Sequence, residues 1–142
     1  MSEFVVAKTC IRNRDILIES LVQIGVDAEH IQVHEIAKNL EGFTGDRRNQ
    51  TAEIIIPKKY VGTASNDVGW KLQKDGSYSV IVSEFDKRNP FWRKMLPQSA
   101  GGTGDLVKTY STNVIKKTAS KSYHRVSRCE SKKDMIEIEV TV

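Results

Sequence analysis

The stretch Asp67–Phe85, DVGWKLQKDGSYSVIVSEF, decides the fold. Two strand-like segments, DVGWKLQ and YSVIVSEF, flank KDGS (Lys74–Ser77). A glycine after an aspartate accepts the positive φ of a tight turn, so Asp75-Gly76 marks a β-hairpin. Successive strand residues point to opposite faces, which sends Tyr78, Val80 and Val82 one way and Ser79, Ile81 and Ser83 the other.

Towards the N-terminus, AEIIIP (Ala52–Pro57) reads as a short buried strand. Pro57 belongs at its end, because proline donates no ladder hydrogen bond. NLEGFTGDRRNQ (Asn39–Gln50) carries Gly42, Gly45 and Asp46 and reads as a loop or wide hairpin connection. HIQVHEIA (His30–Ala37) alternates as a strand, with Ile31, Val33 and Glu35 on one face. The segment before it is helical. Asn13 stands as its N-cap and Asp15 lies in the first turn. Leu17, Leu21 and Ile24 share one face, widened by Ile18 and Val22, and Gly25 ends the helix. FVVAKTCI (Phe4–Ile11) is β-branched-rich and opens the chain as a strand.

Beyond the hairpin comes KRNPFWRKMLPQSAGGTGD (Lys87–Asp105), expected as a flexible loop over 87–104. A second helix follows, with Leu106, Val107, Tyr110, Val114 and Ile115 on its apolar side and Thr103 as its N-cap. Lys116, Lys117 and Lys121 lie towards the other end, where cations suit the helix dipole. HRVSRCE and MIEIEVTV read as a terminal hairpin around SKKD, with Ile136, Ile138 and Val140 inward. The predicted order is β-α-β-β-β-β-α-β-β. It implies a single α+β domain over 1–142, a largely antiparallel sheet with two helices on one face.

The chain has 142 residues, enough for one domain with a core, and no apolar run long enough to span a bilayer. MSEFVVAKTC lacks a basic n-region and an apolar h-region, so no secretory signal is read and a cytoplasmic protein is expected. Two cysteines without CxxC spacing imply free thiols. The net charge of +4 is unevenly placed: 10 basic and 2 acidic residues fall between Asp86 and Arg128.

That basic segment has two readings. Arg88, Trp92, Arg93 and Lys94, with Lys116, Lys117 and Lys121, form a candidate nucleic-acid contact in which an aromatic ring stacks on bases and cations hold phosphates. The favoured alternative anchors Phe91 and Trp92 against the sheet and leaves the cations solvated. SAGGTGD offers backbone N–H groups before a helix, but no Lys-Ser/Thr follows the last glycine, and Asp105 would repel a phosphate. His30 and His34 are four apart in a strand, about 13 Å in extended chain, so they do not make a metal pair. No cofactor or metal site is expected, nor an active site, since no Ser, Cys or carboxylate constellation is complete.

MSEFVVAKTCIRNRDILIESLVQIG, AEIIIPKKY, DVGWKLQKDGSYSVIVSEFD and LVKTYSTNVIKKTASKSYHRVSRCESKKDMIEIEV together resemble the plastid conserved hypothetical reading frame thirty-five family. This domain of unknown function is found in plastid, cyanobacterial and phage proteins. The likeness rests on Met1, Ser2, Phe4, Lys8, Thr9, Ile11, Leu21, Gly25, Asp67, Gly69, Asp75, Gly76, Tyr78, Tyr110 and Val114. Glu3 stands where that family usually has histidine, Ile24 where it has leucine, and RNPFWRKMLPQSAGGTG looks like an insertion. The resemblance implies no catalytic residues; a phage origin would place the protein in host cytoplasm.

The leading expectation is a small non-enzymatic binding or regulatory module that engages a protein partner through a sheet face or edge. The alternatives are weak nucleic-acid binding through 86–128, and a small-ligand-binding protein or enzyme with an unrecognised site. An open sheet edge also permits a homodimer.

Overall fold

A computed structural model describes residues 3–119. Its elements are β1 (Phe4–Lys8), α1 (Arg14–Ile24), β2 (Gln32–Glu41), β3 (Arg47–Ile56), the one-turn helix α2 (Lys58–Val61), β4 (Val68–Leu72), β5 (Tyr78–Ser83), the one-turn helix α3 (Pro90–Arg93) and α4 (Asp105–Ala119). The class is α+β. One sheet of order β1-β5-β4-β3-β2 is antiparallel at every pairing. The expected terminal hairpin and Lys121 lie outside the described residues.

The alternation read from the central hairpin sets the layers. Tyr78, Val80 and Val82 join Ala7, Ile54, Ile56, Val68 and Trp70 in a core closed by Ile16, Leu17 and Leu21 of α1 and by Leu106, Val107 and Tyr110 of α4. Both long helices therefore cover the same face. Asn13 caps α1 by accepting the Ile16 N–H at 3.0 Å. The buried stripe of α1 runs through Ile16, Leu17, Ser20 and Leu21 rather than widening to Val22, which stays 42% exposed. Polar contacts fix how the helices meet. Tyr110 Oη accepts the backbone N–H groups of Arg12 and Asn13, and Asn113 Nδ2 donates to Ser20 Oγ at 2.9 Å.

The segment expected as a flexible loop is instead folded. Asn89 accepts the Phe91 N–H to start α3, which carries Trp92 into the core together with Met95 and Leu96. Backbone bonds from Gly102 to Pro97, from Gly104 to Leu96 and from Leu106 to Lys94 close the rest into a compact turn. An added Cβ at Gly102 would collide with the Leu96 carbonyl oxygen, so this glycine serves close backbone approach. Apolar side chains at Trp92, Met95 and Leu96 repay the ordering of the segment, which its glycine and proline content alone would not show. Thr103 is not the N-cap. Gly104 precedes the helix directly, and the Thr103 hydroxyl donates to Asp105 Oδ1 at 2.7 Å. Cys10, expected as a free thiol, is not a free one, and Cys129 lies outside the described residues.

The stretch around Gly42 is the hairpin connection that its glycines suggested, but the strands run further into it than expected. Strand runs on to Glu41 and restarts at Arg47, so β2 and β3 make a hairpin of two ten-residue strands. Only Ile54–Ile56 of β3 pair with β4. The remainder projects past the sheet, and a bulge places His34–Ala37 of β2 opposite Glu53 alone. Bulges bend and twist a ladder, and this hairpin folds back over the second face. Leu40 and Ala52 close there on Ile55 and Ile81, with Phe4 packed beside them. Glu41 exchanges two bonds with Asp67: its carbonyl accepts the Asp67 N–H at 3.0 Å, and its own N–H donates to Asp67 Oδ2 at 2.8 Å. The Lys58 N–H donates to the other carboxylate oxygen at 2.8 Å. Burial pushes the Asp67 carboxyl up, against these two donors.

Gly69 makes that closure possible. A Cβ there would lie 2.8 Å from Ala52 Cβ and 3.0 Å from Leu40 Cδ2. Gly69→Ala is therefore expected to lower stability by about 1–3 kcal/mol through overpacking, measured by urea unfolding. An unchanged midpoint would show that the folded-back hairpin does not press on the sheet.

Candidate binding site

The folded-back hairpin creates a site that no single sequence segment contains. Its turn, residues 42–46, is closed by the Gly42 N–H to the Asp46 carbonyl at 2.8 Å and by the Gly45 N–H to the Gly42 carbonyl at 2.9 Å. Asp46 braces the turn from within. It accepts from Thr44 Oγ1 at 2.8 Å and from Arg48 Nε at 2.7 Å. Those two donors, Thr44 first, hold its carboxyl below the usual range. Arg48 also lies over the Phe4 ring, 5.1 Å from its centroid, which ties the hairpin to the far edge strand.

Opposite the turn stands the Ala64–Asn66 loop. Asn66 is 2% exposed, and both polar ends of its side chain have partners. Its Oδ1 accepts the Phe43 N–H at 2.9 Å, and its Nδ2 donates to Ser83 Oγ at 3.0 Å. Asp86 Oδ2 accepts the Asn66 backbone N–H at 2.9 Å and the Ser83 hydroxyl at 2.7 Å. A buried network satisfied in this way rigidifies its surroundings. Ala64 has φ +60°, a left-handed conformation costing a non-glycine residue about 1–2 kcal/mol. Such strain persists where the surrounding structure fixes it, and it clusters at functional sites.

Between turn, loop and the end of β5 lies a cleft of about 410 Å³, walled by Phe43 and Phe85. These rings are 56% and 43% exposed. The size falls within the range of ligand pockets, and the mostly apolar lining with a few placed polar groups fits one. Among the described lining residues no Ser, Cys or His is present, and the Thr44 hydroxyl donates to Asp46 within the turn. The cleft's polar groups, Thr44, Asp46, Arg48 and Asn66, are bonded to one another or to the frame, so the walls offer a shaped, apolar receiving surface.

The residues singled out from the sequence are placed elsewhere. Trp92 is 4% exposed, and its Nε1 donates to the Val61 carbonyl at 2.8 Å. Its ring is closed to a stacking base. Arg88 is exposed, Arg93 is half-buried, and Lys94 lies over the Phe91 ring at 5.6 Å. Lys116 and Lys117 stand on α4, a different element, where Lys117 pairs with Glu19 at 3.3 Å. His30 stacks on Tyr60 at 3.7 Å, and His34 Nε2 lies 3.1 Å from Gln32 Oε1. Among the described residues no group of three or more His, Cys, Asp and Glu could hold a metal ion, and no helix is long and apolar enough to cross a membrane.

Sequence reading missed Phe43, Asp46, Arg48, Ala64, Asn66 and Phe85. The available signal was an aromatic in a glycine-flanked turn and another just past a strand end, where a core role is hard to assign. No protein-family model, curated protein or solved structure matches the chain.

Proposed function

We propose that this protein is a non-enzymatic binding module that engages a protein partner, and that the Phe43–Phe85 cleft is its receiving site. The observation that carries this reading is the pair of exposed phenylalanines walling a concave, rigidly framed apolar cleft. Two large apolar rings left in water beside a concavity mark an interaction site, because scattered exposure would not be concave. The likeness to the plastid conserved hypothetical reading frame thirty-five family belongs to the same proposal. Two of its matching positions, Asp67 and Gly69, anchor and admit the folded-back hairpin that builds the cleft.

The test is selection of displayed random peptides on the immobilised protein. Enriched peptides are expected to carry a large apolar residue. Their binding should weaken by about tenfold or more in a Phe43→Ala, Phe85→Ala double variant, as for buried aromatic anchors. A quadruple Arg88, Arg93, Lys94, Lys117→Ala variant should bind them as the wild type does. Salt-sensitive binding of single-stranded RNA or DNA that only the quadruple variant loses would overturn the proposal in favour of the nucleic-acid alternative.

A further inference from the structure

The cleft's apolar walls would accept any apolar group of the right size, so its chemical preference has to come from the rim. Asp46 pairs with Arg48 on the rim at 2.7 Å. A carboxylate presents about four acceptor positions. Thr44 Oγ1 uses one on Oδ1, and Arg48 Nε uses one on Oδ2. Asp46 lines the cleft and is only partly covered, its side chain keeping 28% of its exposure. It therefore retains capacity to accept one further hydrogen bond from a guest, and hydrogen bonds to an ionised acceptor are the stronger kind.

The guest's charge is constrained from both sides. A cation attracted to Asp46 would approach the Arg48 guanidinium at the same time, and an anion attracted to Arg48 would meet Asp46. The favoured guest is a neutral group with a hydrogen to donate. The walls add the second requirement. Phenylalanine rings pair best with another ring in offset or edge-to-face contact. Among protein side chains, indole and phenol combine a flat apolar body with a neutral N–H or O–H donor.

The smaller hollow beside Tyr60 and Phe91, about 230 Å³, differs in this respect. There the protein's own Lys59 and Lys94 lie over the two rings at 5.0 and 5.6 Å. No lysine is placed over Phe43 in this way among the described residues.

Resting on the binding reading above, we propose that the cleft takes a tryptophan or tyrosine side chain of the partner, its ring between Phe43 and Phe85 and its N–H or O–H donating to Asp46.

The experiment is a titration of the ¹⁵N-labelled full chain, followed by amide shifts, with indole, phenol, toluene and tetramethylammonium, and with a blocked tripeptide centred on tryptophan. Indole and phenol are expected to shift the Phe43, Thr44, Asp46 and Phe85 amides with a Kd about tenfold below that of toluene, the value of one modest hydrogen bond. Tetramethylammonium should leave those amides in place, and the tripeptide should bind more tightly than indole. Asp46→Ala should bring indole and toluene to equal affinity. Because Asp46 also braces the turn, Asp46→Asn serves as the second variant. It keeps an acceptor oxygen, and its preference should fall between the other two.

Toluene binding as tightly as indole would overturn the donor assignment while leaving the cleft a binding site. A tripeptide no tighter than free indole would overturn the side-chain source in favour of a small aromatic molecule. If no probe moves these amides and the Phe43→Ala, Phe85→Ala variant behaves as the wild type, the binding reading fails as well.

Discussion

Trp92→Ala should lower stability by about 3–5 kcal/mol, the usual cost of truncating a buried large aromatic. The residue is 4% exposed, meets Phe91 edge-to-face at 4.9 Å between centroids, and donates its indole N–H to the Val61 carbonyl. Truncation opens a cavity under α3 and leaves that carbonyl without its partner. Total stabilities of single domains run to about 5–15 kcal/mol, so the loss is a large share, and the melting temperature should fall on the order of 10 °C. Thermal unfolding followed by circular dichroism checks it, with Arg88→Ala, an exposed position, expected to stay within about 0.5 kcal/mol of the wild type. A Trp92→Ala protein as stable as the wild type would mean that the ring is not a core element, and the nucleic-acid reading of this stretch would regain its stacking residue.

Asn66→Ala is expected to cost about 3 kcal/mol, because it strands several buried polar groups at once rather than removing one surface bond. The Phe43 N–H loses its acceptor, Ser83 Oγ loses a donor, and the Asp86 carboxylate loses the weaker of its two bonds from Asn66, at 3.3 Å. The consequence reaches the cleft. Phe43 is held in place through its backbone by Asn66, so the variant should lose guest binding as well as stability. Urea unfolding gives the first quantity and the amide-shift titration the second. Retained binding with reduced stability would show that Phe43 is positioned by the turn itself and not by Asn66. Asn66→Asp should be no better tolerated, since it sets a second carboxylate against Asp86.

These two residues also show what could be read in advance. Trp92 was visible as an anchor beside a basic run, and its apolar bulk argued for burial. What could not be read was that Pro90–Gly104 would fold around it, because the bonds from Thr103 to Arg93 and from Gly104 to Leu96 join positions that carry no periodic signal. Asn66 carried no signal. An asparagine before Asp-Val-Gly-Trp reads as loop, and only burial beside Ser83 and Asp86 turns it into the centre of a network.

The sequence by itself determined the local elements and their faces. Asn13 and Gly25 bound the first helix, the Asp75-Gly76 turn set the central hairpin, and the alternation at Tyr78, Val80 and Val82 chose which face the helices cover. These follow from short-range rules, where spacing of 2 or about 3.6 residues already tells which side chains are neighbours. The site was decided by tertiary structure alone. Phe43 and Phe85 are far apart along the chain, and they come to line one cleft because a hairpin longer than its neighbouring strands must bury Leu40 and Ala52 somewhere. It buries them by folding over a sheet face that Gly69 leaves open and Asp67 fastens. Neither the direction of that fold-back nor the partner at its end is encoded within any one window of sequence, because both depend on contacts formed after the strands have paired.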